Sequence, residues 1–165
     1  MRGLAIGASR SVAPFLIALA AAAAPAAAQF PKTQLSLAGA TITFPAPTAN
    51  DYFAGFVNST TGVTFTVNAT AGSQPHTTTI LIRATSASLG GGKVIGDLQW
   101  RRSDLATWTA ITATDAQVEQ RAQVRNILND PWSNTVFFRL LLNWTTDAPA
   151  TYTANYEITL SQTVP

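Results

Sequence analysis

Histidine is scarce in this 165-residue chain and cysteine is absent: His76 stands alone, inside Gly72-Ser73-Gln74-Pro75-His76-Thr77. Zinc sites and most nucleophile–base pairs need a second histidine or a thiolate, so neither can be assembled in the ordinary way. A Ser/His/Asp arrangement through His76 is formally open, but no Gly-x-Ser-x-Gly elbow accompanies it, and the polar surroundings suggest a solvated loop. Glycosidase chemistry needs two carboxyl groups facing each other at ~5–9.5 Å. Asp51, Asp97, Asp104, Asp115, Glu119, Asp130, Asp147 and Glu157 are scattered singly, most at turn positions where aspartate bonds backbone amides. No Asp-x-Asp-x-Asp-Gly calcium loop and no cofactor motif is present. The expectation is a protein without catalysis, metal or cofactor.

Tryptophan offers a different chemistry. A flat ring can stack a sugar, and Asn129-Asp130-Pro131-Trp132-Ser133-Asn134 sets one beside amide and carboxylate groups. Trp132, Asp130 and Asn134 are therefore the candidate platform for a glycan. The competing use of Trp132 is to plug one end of the fold. Trp100 and Trp144 read as core residues.

The elements that must position these groups are strands. Val63, Phe65 and Val67 alternate with threonines, and Thr77 to Ser86 carries Ile80 and Ile82 opposite Leu81. Thr41 to Phe44 reads as a short strand, and Asp51 to Val57 as an aromatic segment of open form. Gly90-Gly91-Gly92 predicts a turn leading into a strand from Val94 to Arg101, with another over Trp108 to Thr112. Residues 116–128 read as strand or mixed. Asn129-Asp130-Pro131 is a turn. Val136 to Trp144 and Thr151 to Ser161 are the clearest strands, the second placing Tyr152, Ala154, Tyr156, Ile158 and Leu160 on one face. About seven to nine short strands separated by turn signals predict an all-β antiparallel sandwich.

Residues 1–28 carry a different pattern. Arg2 and Arg10 precede an apolar stretch from Val12 to Ala24, and Ala26-Ala27-Ala28 supplies small residues for cleavage before Gln29. The stretch falls short of the ~20 residues that span a bilayer, and no later run replaces it. The reading is a cleaved signal at 1–28, a short leader at 29–34 and one domain at 35–165, exported to the periplasm, the cell surface or the medium, with no integral membrane segment. Removing Arg2 and Arg10 from the 10 basic side chains leaves 8, against 8 acidic. A neutral mature chain removes the main electrostatic argument for nucleic acid as a partner. Three Asn-x-Ser/Thr sequons, at Asn58, Asn68 and Asn143, read as by-products of abundant threonine.

Trp100 within Asp97-Leu98-Gln99-Trp100-Arg101, and the corner Asp147-Ala148-Pro149-Ala150-Thr151-Tyr152-Thr153-Ala154, resemble features of immunoglobulin-like sandwiches. That resemblance implies a buried Trp100 and a structural Tyr152 whose hydroxyl bonds backbone upstream. Only Gln162 to Pro165 follow the late strand, where a further strand normally closes the sheet. The run from Pro149 to Leu160 is also similar to the C-terminal strands of spore-coat-U-like pilin domains. Such domains imply assembly by donated strands, with other copies of the chain or surface proteins as partners. The expected role is structural or adhesive, pilus-like in its most specific form; the alternative is a carbohydrate-binding module using Trp132.

Overall fold

The computed structural model describes residues 32–71, 75–123, 131–147 and 150–164. The expected signal at 1–28, Asp130 and residues 124–128 of the ambiguous stretch lie outside them. The chain is all-β, built as two antiparallel sheets facing each other with a separate two-stranded antiparallel ribbon.

In chain order the elements are β1 (Lys32–Ala38), α1 (Ala49–Ala54), β2 (Phe56–Asn58), β3 (Val63–Ala71), β4 (His76–Ala84), β5 (Ser88–Gly90) and β6 (Lys93–Val94). A 3-10 turn over Ile95–Asp97 leads into β7 (Leu98–Arg102), β8 (Thr109–Ala110), β9 (Ala116–Gln123), β10 (Trp132–Leu141) and β11 (Tyr156–Thr163). The larger sheet runs β1-β3-β10-β7-β8. Its centre is β10, whose first half pairs with β3 and whose end pairs with β2. The smaller sheet is β11-β4-β9.

The alternation read from the sequence sets which faces meet. Val63, Phe65 and Val67 are fully buried, as are Val136 and Phe138 on β10. From the other sheet Ile80, Ile82 and Ile158 close over them, and every second residue of β4 from His76 to Ala84 points inward. Each fully buried valine, isoleucine or phenylalanine contributes about 1.5–3 kcal/mol by leaving water. Trp100 joins this core.

Several boundaries differ from the sequence reading. Residues 32–34 of the expected leader belong to β1, paired with β3. Thr41–Phe44 forms no strand: among the described residues it meets no sheet neighbour, and Ile42 and Phe44 lean on the core from the side. The aromatic segment 51–57 divides into α1 and β2. Thr48 caps the helix reciprocally with Asp51, and Gly55 ends it at φ 78°. The glycine turn stands as read: Gly90, Gly91 and Gly92 all have positive φ. A Cβ on Gly91 would also lie only 2.8 Å from Tyr152 Cε1. The ambiguous stretch is strand from Ala116 to Gln123. A register shift there sets Ile80 opposite Glu119 and Leu81 opposite Gln117. Val118 is the extra residue of a bulge, so consecutive Val118 and Glu119 are both buried.

Candidate functional site

The residues singled out for chemistry are not gathered into one place. His76 is the first residue of β4 and is buried on its inner face rather than solvated in a loop. The described carboxylates are taken up by neighbours. Asp51 caps α1, Asp115 and Glu157 flank Arg83, Asp97 and Asp147 flank Lys93, and Asp104 and Glu119 meet Arg102.

The proposed Trp132 platform is overturned by where β10 begins. The strand starts at Trp132, earlier than expected, so Trp132 and Asn134 fall on the inner face instead of in a loop. Trp132 is 7% exposed. Its ring meets the Phe65 ring edge-on at 5.8 Å, and the Arg121 guanidinium covers it at 4.5 Å. Asn134 donates to Glu119 at 3.1 Å and to Asp104 at 3.3 Å. Glu119 in turn accepts from Arg121 Nε at 2.7 Å and lies 3.7 Å from Arg102. Arg102 also donates to Asp104 and holds its carboxyl down at about 2, the hydrogen bond being the main cause. Hydrogen-bonded Glu119, Asn134, Asp104, Arg102 and Arg121 close one end of the sandwich around the Trp132 ring, whose Nε1 is buried without a hydrogen-bond partner. Trp132 is the plug of that end.

The opposite end stays open. A groove of about 500 Å³ enters between the extended segment 40–44 and residues 152–158. Leu98, Leu140, Leu89 and Ile158 line it from the core, with Leu37, Ile42 and Phe44 along one side and Tyr152 and Tyr156 along the other. The Tyr156 hydroxyl donates to the Ala40 carbonyl and ties the two sides together. Burial raises the pKa of that phenol, which keeps it a donor. Beside the groove, the outer edge of β11 has no strand partner among the described residues. Thr153 N–H donates to Leu89 O, and Asn155 O accepts from Thr85 and Ser86, so the segment entering β11 is held by isolated bonds rather than a ladder.

Two further groups lie elsewhere. Lys93 and Asp147 form an ion pair at 2.8 Å with side chains only 5% and 2% exposed, and Asp97 approaches the same ammonium at 3.6 Å. The second group contains Trp144, expected in the core and found 58% exposed, three residues past the end of β10. Beyond a strand's last pair, alternation no longer decides which way a side chain points. The remaining tryptophan, Trp108, sits between the guanidinium groups of Arg101 and Arg139, at 5.0 and 4.7 Å. Among the described residues, no group of three or more histidine, cysteine, aspartate or glutamate side chains is placed to hold a metal, and no helix is long and apolar enough to cross a membrane.

No family model matches this chain, and neither a curated protein nor a solved structure is similar to it.

Proposed function

We propose that the chain is an exported, non-catalytic structural or adhesive subunit whose sandwich is completed by an extended strand from a partner protein. One observation carries the reading: the outer edge of β11, which no strand pairs among the described residues, runs beside an apolar groove, with the Thr33 hydroxyl of β1 donating to the Gln162 side chain near its end. A free edge offers backbone donors and acceptors in a row, and the groove offers pockets for alternate side chains. That combination is what strand addition uses.

Strand order supports it. An immunoglobulin-like sandwich places strands A-B-E-D in one sheet and C-F-G in the other. Taken in chain order, β1, β3, β4, β7, β10 and β11 fit the places of A to F, since β1-β3-β10-β7 are neighbours in one sheet and β4-β11 in the other. No strand among the described residues takes the place of G beside β11. The eight-residue β9 is an addition to this scheme, pairing with β4 on its other side. The signal-like pattern of residues 1–28 supports export, and with it a periplasmic or cell-surface setting. Lys32–Gln34 are already paired in β1, so in this arrangement the added strand comes from another molecule.

The test is light scattering and circular dichroism on the protein from Gln29 to Pro165, alone and with a synthetic peptide of residues 29–44. Polymers, or a monomer whose melting temperature rises with the peptide by mass action, support the reading. A monomer that unfolds cooperatively and ignores both this peptide and a panel of alternating Val/Thr strand peptides overturns it.

A further inference from the structure

We infer that Trp144, backed by Tyr52 and walled by Phe53, is a stacking site for a neutral sugar ring. Trp144 and Phe53 are exposed and Tyr52 is half-buried against the core; the three rings cluster together and none of them lines the groove. The Tyr52 ring lies against the Trp144 indole at 4.2 Å between centroids and 26° between planes. One indole face is thereby covered and fixed, while the side chain keeps 58% of its surface in water. Phe53 stands edge-on to the same indole at 6.3 Å and 68°, and is 82% exposed. Exposed tryptophan and phenylalanine side by side form the kind of apolar patch that marks a binding surface.

The cluster is held stiffly. Asp51 and Thr48 cap the helix that carries Tyr52 and Phe53, and Gly55 O at its end accepts from Leu142 N–H at 2.8 Å. On the other side, Asp147 accepts from the Asn143 amide at 2.9 Å, and Asn143 Oδ1 accepts the Thr145 amide and hydroxyl. Asp147 is itself fixed by Lys93. A preformed ring loses little freedom when a ligand stacks on it.

Charge selects the ligand. Residues 48–56 and 143–147, which build the cluster, contain no lysine or arginine. Of the cations among the described residues that touch them, Lys93 is buried and paired with Asp147, and Arg139 lies over the Phe56 and Trp108 rings. No exposed, unpaired ammonium is therefore there to favour a phosphate, a uronate or an anionic lipid surface. They do contain exposed Asn50, Asn143, Thr145 and Thr146. With its oxygen engaged, Asn143 presents its Nδ2 as a donor. A flat apolar face rimmed by amides and hydroxyls matches a pyranose, which has one C–H-rich face and a hydroxyl periphery. The site is independent of the strand-completed groove: either can fail alone.

The experiment is calorimetric and tryptophan-fluorescence titration of the purified protein with cellohexaose, chitohexaose, maltohexaose and mannohexaose. Polygalacturonate and phosphatidylglycerol vesicles serve as anionic comparisons. The expected result is saturable binding of at least one neutral oligosaccharide, with protection of one tryptophan from acrylamide quenching. Trp144→Ala weakens it about tenfold or more, and Trp144→Phe restores part of the loss. Phe53→Ala, at a side chain that contributes almost nothing to the core, weakens it by a smaller factor and guards against a folding artefact. Absence of binding to all four oligosaccharides, binding that survives Trp144→Ala, or preference for the anionic ligands overturns the inference. So does a loss of binding that follows occupation of the groove by a strand peptide instead of mutation of these rings.

Discussion

At the Trp132 end of the sandwich a tryptophan, two arginines, a glutamate and an asparagine fill the space between the sheets, whereas at the Leu140 end that space remains a groove. The first end closes because the Glu119 carboxylate meets Arg102, Arg121 and Asn134 and the Trp132 ring packs between Phe65 and Arg121, although the Trp132 Nε1 is buried without a hydrogen-bond partner. The second end offers mainly leucine, isoleucine, phenylalanine and tyrosine. Apolar side chains on two walls cannot satisfy the backbone groups of a strand edge, which turn instead to water, polar side chains or another backbone. The difference shows that side chains close one end of the sandwich and leave the other open as a groove beside the outer edge of β11.

Four measurements bear on that contrast. Trp132→Ala removes the plug of the closed end and costs about 3–5 kcal/mol, read as a fall in the urea midpoint; a loss under ~1 kcal/mol would mean this end is not sealed by the ring. Glu119→Gln leaves the Arg102 and Arg121 guanidinium groups without their shared carboxylate. Because Arg121 is half in water, the cost is expected at about 1–3 kcal/mol. Leu37→Ser, at the open end, should lower stability by no more than about 1 kcal/mol, yet abolish any rise in melting temperature produced by a strand peptide. If Leu37→Ser costs as much as Trp132→Ala, the two ends do not differ.

The smallest effect concerns acid. Asp104 ionises at about 2 in the folded protein, below its ordinary value of 3.8. Its ionised form therefore favours the folded state above the ordinary value, and this contribution fades as pH falls from about 4 through about 2. Asp104→Asn should flatten the pH dependence of the melting temperature in that window alone. The Asp104 side chain is half in water, so the change is slight and weakens further with salt.

The inner faces were legible in the sequence wherever a strand alternated along its paired length: Val63/Phe65/Val67, Ile80/Ile82, and Tyr156 to Leu160. Errors arose at strand ends. Trp132 follows a turn signal, which hid the fact that β10 already begins there, and Trp144 lies past the last paired residue, where period-2 reasoning loses its hold. His76 was misplaced for the same reason as Trp132, being the first residue of a strand that follows a polar loop. The helix α1 was signalled by Thr48 three residues before Asp51, a capping pattern easily overshadowed by the aromatic residues behind it. The groove had no sequence signature, because Thr41–Phe44 has strand composition and only the absence of a neighbouring strand turns it into a wall.

The buried Lys93–Asp147 pair gives this molecule a clock. Lysine occurs only twice in the chain, at positions 32 and 93, and the second is sealed beneath the glycine hairpin with its ammonium held by Asp147 and Asp97. A lysine-specific endoproteinase cannot reach that peptide bond until the hairpin lifts away from residues 143–147. The rate at which the cut after Lys93 accumulates therefore reports how often this corner opens, on an otherwise native protein and without any label.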